Sequence, residues 1–372
     1  TNSGVAVGGL FIVRWLAPVI VSPIAGVVAD RYNRKHLLII TDLSRAVVVL
    51  GFFLVRSAGD VWLLYALSAV QLAISGFFFP ARNAILPSIV TDRELGASNA
   101  LTSVTWSVML ALGTGLGGLV AGGMGVYAAF AIDSLTFLVS AGFMAMVHYL
   151  PTDLDQHIVK GMAAASRKYV DGLRYLKQHA DIFRISILKA AVSLTVAGGM
   201  AVVQVALAQQ VFPIGKEGGI SMGLLFAAVG VGTGIGPIIA RIFTGDRDHP
   251  LRRAIVVGFL LLTVGVGLMG LAHNFVLLMF GTMIRGAGGG TIWVFSTQLL
   301  MQLLPPQVRG RVFATELAMA LLASSAGAAY TGVLVDLPTI GLSGAMYLMA
   351  ASALIPCLLW GWYITRRKIA NS

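Results

Sequence analysis

Charged residues are scarce in this chain of 372 residues: they make up 11% of it, whereas hydrophobic residues make up 57%. A soluble globular domain carries about 25% charged residues. The scarcity excludes an ordinary soluble domain and indicates a membrane protein. Cysteine is nearly absent as well, because the sequence has a single one, Cys357. A disulfide framework is therefore excluded, and Cys357 is expected to be a small packing residue.

Sequence motifs of enzymes are also missing. The chain has no H-E-x-x-H, no G-x-S-x-G and no Walker loop, and its six histidines are scattered. Hydrolytic, metal-dependent and ATP-driven chemistry therefore lack a sequence signal, and we expect neither enzyme activity nor a cofactor. The stretch GTGLGG at 113–118 matches the dinucleotide fingerprint, but that motif requires a preceding strand, and here its flanks are typical of membrane helix.

Long apolar runs dominate the remaining sequence. A helix needs about 20 mostly apolar residues to cross the hydrocarbon layer, and lipid offers no partner for open backbone groups. We therefore predict eleven membrane-spanning helices, at 7–28, 37–56, 61–81, 98–121, 126–149, 183–208, 220–242, 254–272, 275–299, 313–334 and 342–364.

The basic residues are concentrated in alternate loops. One set of loops and ends holds nearly all of them, whereas the other set holds only Arg56 and Lys216. Because cytoplasmic loops carry the excess of Lys and Arg, we expect a multi-pass protein of the cytoplasmic (inner) membrane with a cytoplasmic C-terminus. The net charge of +11 then reflects topology. No aromatic-laced basic segment is present, so nucleic acid is not an expected partner.

Two stretches recur at nearly the same offset. VVADRYNRKHLLI is similar to IFTGDRDHPLRRAI, with Asp30 and Asp246 216 residues apart (246 − 30). LPSIVTDREL is similar to LPPQVRGRVF, with Pro87 and Pro305 218 residues apart (305 − 87). The offset indicates a duplicated unit whose first half is one helix short. The predicted architecture is an all-α membrane protein of twelve helices in two six-helix halves, of which the first helix is missing here.

The duplication divides the chain into three parts. Residues 1–151 form an N-terminal helical half without its first span, 152–181 a cytoplasmic amphipathic linker, and 182–372 a C-terminal six-helix half. In the linker, Tyr169 and Leu173 fall on one side of a helical pattern, as in a helix that lies on the membrane surface. Protein docking is the alternative role for this segment.

Several motifs resemble one transporter family. GVVADRYNRKHLL is similar to the loop signature G-x-L-A-D-R-x-G-R-K of the major facilitator superfamily. Six stretches together resemble its drug and siderophore efflux branch, which includes macrolide and enterobactin exporters: AGVVADRYNRK, TDLSRA, FFFPARNAILPSIVTDRELGASNAL, LGTGLGGLVAG, AIDSLTFLVSAG and VRGRVFA. The resemblance implies a major facilitator fold and a monomeric secondary transporter in the lipid bilayer. Such a protein would export amphipathic small molecules by alternating access, in exchange for protons or another coupling ion.

The sequence departs from this family pattern in three places. Asn33 stands where the signature loop usually has Gly, and we expect it to use the left-handed backbone conformation that Asn tolerates. Gly113-Thr114 replaces the Gly-Pro associated with antiporters, and the span at 61–81 lacks the arginine that many proton antiporters carry. Two alternatives therefore stay open: an uptake symporter of the same fold, and a non-transporting scaffold or sensor.

The resemblance also implies a gating loop between the first two spans. Its residues are Gly26, Asp30, Arg31, Arg34 and Lys35. In such a loop Asp30 would reach the N-terminal end of the penultimate span, with Arg34 in the same charge network. The two halves would thus share a latch that breaks in each transport cycle.

Charges inside the spans are candidate functional residues, because each costs about 2.5–3.5 kcal/mol at mid-bilayer on insertion scales. Arg285 is expected either in the central cavity or in a buried pair that fixes helix packing. Asp133 is expected either as a proton site or as a hydrogen-bond partner of a neighbouring helix. The candidate coupling or substrate-cavity residues are Arg14, Asp133, Arg285, Gln71, Trp106, Gln204 and Trp293.

A cytoplasmic charge network forms a third group of candidates. Asp42 and Arg45, three residues apart on one helix face, are expected to neutralise each other. Glu316 is expected at the start of its helix, where the dipole favours a carboxylate. The full network is Asp42, Arg45, Arg82, Arg93, Arg309, Arg311 and Glu316.

Glycine pairs four residues apart let membrane helices approach closely. We expect them to form sliding surfaces between the two halves. The pairs are Gly113 with Gly117, Gly118 with Gly122, Gly232 with Gly236, and Gly286 with Gly290.

Overall fold

A computed structural model describes residues 3–85, 89–90, 105, 109–148 and 174–370. In this part of the chain, ten helices are long and apolar enough to cross a membrane. They correspond to ten of the eleven predicted spans, which confirms an all-α membrane fold. The remaining span, 98–121, lies partly outside the described residues, at 98–104 and 106–108, and its end belongs to a shorter apolar helix at Gly115–Met124.

The described part of the N-terminal half consists of five helices: α1 (Gly4–Arg31), α2 (Arg34–Gly51), α3 (Val61–Ile85), α4 (Thr114–Met124) and α5 (Val126–Met146). Only Tyr32 and Asn33 separate α1 from α2. Asn33 has φ −56°, which is not left-handed, and its side chain accepts a hydrogen bond from the His36 amide. The expectation for Asn33 is therefore wrong: this residue starts α2 as an N-cap, the role that Asn fills well.

The C-terminal half consists of α6 (Ala180–Val192), α7 (Gly198–Ala206), α8 (Gly219–Thr244), α9 (Asp248–Gly270), α10 (Phe275–Leu303), α11 (Pro306–Asp336) and α12 (Gly341–Ala370). Helices α6 and α7 belong to one apolar segment, Ala180–Val211, so this half has six spans. Two π-helical turns, Ser193–Ala197 and Leu207–Val211, interrupt that segment.

A continuous apolar core holds the C-terminal half together. Buried side chains from Leu176 to Ile364 form one cluster, which includes Phe259 of α9 and Phe295 of α10. Leu176 precedes α6 and belongs to the predicted linker. This end of the linker therefore packs into the half instead of only covering the membrane surface. Most of the predicted linker lies outside the described residues.

The ends of the helices form two faces of the bundle. One face carries the start of α1 and the turns at 52–60, 125, 212–218, 271–274 and 337–340, whose basic residues are Arg56 and Lys216. We call it the basic-poor end. The opposite face, with the turns at 32–33, 245–247 and 304–305 and the end of α12, is the basic-rich end.

Candidate functional site

The two halves meet closely at the basic-poor end. The carboxylate of Asp336, the last residue of α11, accepts hydrogen bonds from the Gly4 amide at 2.6 Å, the Val5 amide at 2.9 Å and the Ser3 hydroxyl at 2.8 Å. These donors lie at the start of α1, where the helix dipole favours a negative charge. One carboxylate of the C-terminal half thus caps a helix of the N-terminal half.

A second contact between the halves is made by glycines of α4 and α8. A Cβ atom placed on Gly118 would lie 2.3 Å from Cα of Gly223, and one on Gly122 would lie 2.5 Å from the amide of Ile220. Real Cβ atoms do not come so close, so this crossing requires glycine. The prediction for Gly118 and Gly122 is confirmed: they form a close surface between the halves.

The other glycine pairs do not join the halves. A Cβ on Gly232 would lie 2.2 Å from the carbonyl oxygen of Met283, and one on Gly290 would lie 2.6 Å from that of Thr233. This crossing of α8 and α10 lies within the C-terminal half. A Cβ on Gly113 or Gly117 would meet nothing within 4 Å. The expectation that all four pairs form sliding surfaces is thus wrong for three of them, because the helices that they join belong to one half or lie farther apart.

A cavity of about 620 Å³ lies between the halves beside these contacts. Apolar side chains such as Met222 and Phe226 form part of its wall, and the polar side chains are those of Arg14, Tyr127, Gln209, Lys216 and Glu217. Arg14 lies inside the span of α1 and makes no hydrogen bond or ion pair with the described residues. A cation at this depth requires water or a ligand, and the cavity provides space for both.

A buried ion pair lies in the C-terminal half. Nζ of Lys189, on α6, lies 3.0 Å from Oε2 of Glu316, on α11, and both side chains are at least nine-tenths buried. Lys189 also donates a hydrogen bond of 2.7 Å to Thr297 on α10. Three helices of one half therefore converge on a single ammonium group.

The pair lies next to an exposed aromatic side chain. Nζ of Lys189 lies 4.9 Å from the ring centroid of Trp293, and 41% of Trp293 is exposed. The second carboxylate oxygen of Glu316, Oε1, is buried and has no hydrogen-bond partner among the described residues. A buried acceptor without a donor is costly, and it can take up a proton. The pair thus has one carboxylate oxygen without a hydrogen-bond donor in the described part of the chain, and its ammonium group lies beside the exposed ring of Trp293.

The expectation that Glu316 caps its helix is wrong. Helix α11 begins at Pro306, so Glu316 lies about three turns inside it and beyond the reach of the terminal amides. Sequence reasoning missed Lys189, although a signal was present. Lys189 lies inside the predicted span 183–208, where its charge is as costly as that of Arg285.

The N-terminal half has its own charged cluster. Arg45 lies 3.5 Å from Asp42, which also accepts a 2.6 Å hydrogen bond from Ser140 on α5. The expected pairing of Asp42 and Arg45 is confirmed. Arg45 also interacts electrostatically with Asp133, and its guanidinium lies 4.1 Å from the ring centroid of Phe137. The cluster ties α2 to α5 within one half.

Three further candidates for the cavity, Arg285, Gln204 and Gln71, do not line the 620 Å³ cavity. Arg285 is buried and does not line the 620 Å³ cavity, and its Nε has no partner among the described residues. Gln204 is also buried, whereas Gln209, one and a half turns further, lines the cavity. Gln71 is half-buried in α3. Trp106 lies outside the described residues.

The predicted gating residues lie at helix ends instead of in a loop. Asp30 and Arg31 belong to the last turn of α1, but their side chains, and the surroundings of Gly26, lie outside what is described. Arg34 begins α2 and is half-buried. Lys35 donates hydrogen bonds to the carbonyls of residues 145 and 147 at the end of α5. Its contacts therefore stabilise one half and do not join the two halves.

The other predicted basic residues lie near the basic-rich end. Arg309 donates hydrogen bonds to the carbonyls of Leu304 and Met301, and so caps the end of α10. Arg82 is half-buried in the last turn of α3, and Arg311 is exposed on α11. Arg93 lies outside the described residues.

Asp246, the duplicate of Asp30, lies at this same end. It pairs with Arg241 at 2.9 Å and accepts a 2.7 Å hydrogen bond from Gln298. The second copy of the motif therefore contacts α8 and α10 of its own half. No group of three metal-binding side chains occurs in the part of the chain that is described.

The described chain forms two bundles of membrane-length helices with a cavity between them, an arrangement typical of secondary transporters. The sequence model of the Major Facilitator Superfamily matches residues 1–242 and 221–372. The chain belongs to the Major Facilitator Superfamily, whose members are multi-pass membrane transporters and generally not enzymes.

Individual relatives are more distant. The uncharacterized MFS-type transporter YfiS of Bacillus subtilis (strain 168) is 27% identical over 343 residues, which cover 88% of this chain and 78% of YfiS. The putative bacilysin exporter BacE of Bacillus amyloliquefaciens is 29% identical over 176 residues, 47% of this chain and 43% of BacE. The crystal structure of the nucleoside transporter NupG superimposes with a TM-score of 0.71 at 11% identity, and the match covers 96% of this chain and 90% of NupG. The likeness to NupG shows the fold alone.

Proposed function

We propose that this protein exports amphipathic small molecules across the cytoplasmic membrane in exchange for protons, and that Lys189 and Glu316 couple the two movements. The observation that carries the proposal is their buried ion pair, 3.0 Å long, next to the exposed ring of Trp293. Charged residues inside membrane spans are retained for function, because each is costly to insert.

The contacts between the halves support alternating access. Asp336 with α1, and Gly118 with Gly223, hold the halves together at the basic-poor end. By the positive-inside rule this end faces away from the cytoplasm. Alternating access then requires these contacts to part and to form again in each transport cycle.

The cavity between the halves supports an amphipathic substrate. Its wall combines the apolar side chains of Met222 and Phe226 with the charged groups of Arg14, Lys216 and Glu217. Such a surface binds molecules that carry both an apolar body and a polar group. The partial similarity to BacE, a putative exporter, favours export over uptake.

Proton coupling follows from the chemistry of the pair. A proton that binds a carboxylate oxygen of Glu316 removes the negative charge that holds the ammonium of Lys189. The tie between α6 and α11 then weakens, and Lys189 retains its hydrogen bond to Thr297. Release of that proton restores the ion pair. A structural change at α6 and α11 is thereby linked to one proton per cycle.

The test uses inverted membrane vesicles that contain the full-length protein, with the amphipathic dye ethidium as probe and a proton gradient that is acidic inside. We expect the wild type to accumulate the dye. Glu316→Gln should lose gradient-driven accumulation and keep dye exchange at equal pH, because the neutral side chain cannot carry a proton. Asp248→Asn is the control and should behave as wild type, because the Asp248 carboxylate is 45% exposed and its partner Arg252 keeps both hydrogen bonds to Asp181.

Three results would contradict the proposal. Dye that leaves the vesicles under the same gradient would indicate a symporter, and the absence of dye-dependent proton flux across a panel of amphipathic probes would favour a non-transporting role. Gradient-driven accumulation by Glu316→Gln at the wild-type rate would remove Glu316 from the coupling step.

A further inference from the structure

A groove on the outer side of the C-terminal half is separate from the cavity between the halves. It has a volume of about 730 Å³ and lies between α6 and α12, with Tyr330 of α11 in its lining. The lining is otherwise mostly apolar, with Leu194 in the π-helical turn after α6, and Ile355 and Leu359 on α12. These three side chains are exposed. In a membrane, this α6–α12 groove therefore opens to lipid.

The length of the groove matches one leaflet of the membrane. Along α6 and the π-helical turn that follows it, the lining extends from Arg184 to Thr195, and along α12 it extends from Ser352 to Tyr363. Eleven residues of α-helix rise by about 16 Å, and half of the hydrocarbon layer is about 15 Å. The groove therefore runs from the basic-rich surface to about the middle of the bilayer.

Arg184 lines the surface end of the groove, and Arg366 lies one turn beyond Trp362, another residue of the lining. The guanidinium of Arg184 lies 4.5 Å from the ring centroid of Tyr363, and that of Arg366 lies 4.1 Å from the ring centroid of Trp362. Neither arginine forms an ion pair with a described carboxylate. Asp181, one turn before Arg184, binds Arg252 and the Tyr363 hydroxyl instead. Each guanidinium lies close to an aromatic ring, and a guanidinium carries five N–H donors in a geometry that suits a phosphate.

We infer that the α6–α12 groove binds one anionic phospholipid, with its phosphate at Arg184 and Arg366 and one acyl chain along the groove. Basic pockets between membrane helices bind anionic head groups, and tryptophan and tyrosine lie at the level of the head groups. The apolar lining and the leaflet-deep length fit an acyl chain. A free anion would use the arginines alone and leave the groove unfilled.

The test measures quenching of tryptophan fluorescence by brominated acyl chains. The full-length protein is reconstituted in phosphatidylcholine vesicles that contain an equal small fraction of brominated phosphatidylglycerol or of brominated phosphatidylcholine. The reporter is Trp362, which lines the groove and is exposed. Its share of the fluorescence is the difference between the signals of the wild type and of Trp362→Phe. We expect stronger quenching of Trp362 by the anionic lipid.

The substitution Arg184→Gln combined with Arg366→Gln should lower the preference for the anionic lipid by about fivefold per arginine. Arg241→Gln is the matched control and should keep the preference for the anionic lipid. Arg241 is exposed at the basic-rich end of α8 and does not line the groove. Ala191→Phe, which narrows the groove, should reduce quenching by both lipids.

Equal quenching of Trp362 by the two lipids would show ordinary annular contact and would overturn the inference. A preference that survives in the double arginine variant, or is lost in Arg241→Gln, would also overturn it, because the attraction would then come from net charge. Inorganic phosphate that abolishes the preference at millimolar concentration would show that the arginines bind a free anion. Dye transport is not part of this test, so its result is independent of the proposed function.

Discussion

Lys189 and Glu316 are 127 residues apart in the chain, yet Nζ of one lies 3.0 Å from Oε2 of the other inside the C-terminal half. The pair joins α6 to α11, and Thr297 adds α10 through a 2.7 Å hydrogen bond. A buried charge pair is not a strong source of stability, because desolvation offsets the attraction. The coupling role proposed above accounts for a pair that stability alone does not explain.

The first prediction concerns stability. Lys189→Met should leave the carboxylate of Glu316 buried without its partner and should destabilise the protein by about 3–5 kcal/mol. The combination of Lys189→Met with Glu316→Leu should recover most of that loss, because it leaves no buried charge. Thermal unfolding of the purified protein, followed by tryptophan fluorescence in one detergent, measures both.

The exposed pair of Arg241 and Asp246 provides the control. Its side chains are 63% and 59% exposed, so Arg241→Met should change stability by no more than about 1 kcal/mol. Destabilisation of the double Lys189 and Glu316 variant by the sum of the two single effects would contradict this interpretation of the buried pair.

The second prediction concerns the glycine contact between α4 and α8. Gly118→Ala places a Cβ 2.3 Å from Cα of Gly223, a clash that costs about 1–3 kcal/mol in a packed interface. The halves should therefore separate at the basic-poor end. Spin labels at positions 57 and 217, in a background with Cys357→Ser, should report longer distances.

Gly123→Ala is the matched control on the same helix, because a Cβ there meets nothing within 4 Å. It should leave the distance distribution unchanged. An unchanged distribution in Gly118→Ala would show that this contact does not hold the halves together.

The third prediction concerns Asp336. Asp336→Ala removes the acceptor for the amides of Gly4 and Val5, and loss of such a cap costs about 1 kcal/mol. This contact joins the two halves, so its loss should shift the conformational equilibrium away from closure at the basic-poor end. The spin-label distances described above should lengthen.

Asn274→Ala separates a conformational effect from a general loss of stability. The Asn274 side chain accepts a hydrogen bond from the Leu277 amide at the start of α10, within one half. Its loss should lower the unfolding temperature without a change in spin-label distance. Equal distance changes in both variants would rule out a specific role for Asp336.

The fourth prediction concerns Arg14 in the cavity between the halves. Arg14→Ala should lower the kcat/KM for an anionic amphipathic probe more than for an uncharged probe of the same size, because the cation faces the cavity without a described partner. Arg14→Lys should retain part of the difference. Equal losses for both probes would assign Arg14 a structural role.

Part of this organisation was evident from particular residues in the sequence. The apolar runs predicted ten of the described spans, and the pair of Asp42 and Arg45 was predicted because three residues on a helix bring two side chains together. Contacts between neighbours on one helix depend only on helix geometry. Such contacts can be predicted before the packing of the helices is known.

Contacts between distant segments could not be predicted in the same way. Glu316 is close in sequence to Arg309 and Arg311, yet its partner is Lys189, because α11 begins ten residues earlier and turns that side chain toward α6. Similarly, nothing local to Asp336 indicates that it caps α1.

The sequence by itself determined that this chain crosses a membrane as helices and which loops carry the basic residues, since burial of apolar runs in lipid depends on composition and length. Only the tertiary structure decided which charges meet, which glycines form the contact between the halves, and where the cavity and the α6–α12 groove lie. These features depend on the side of each helix that faces a neighbour, and that orientation is fixed by packing between segments far apart in the chain.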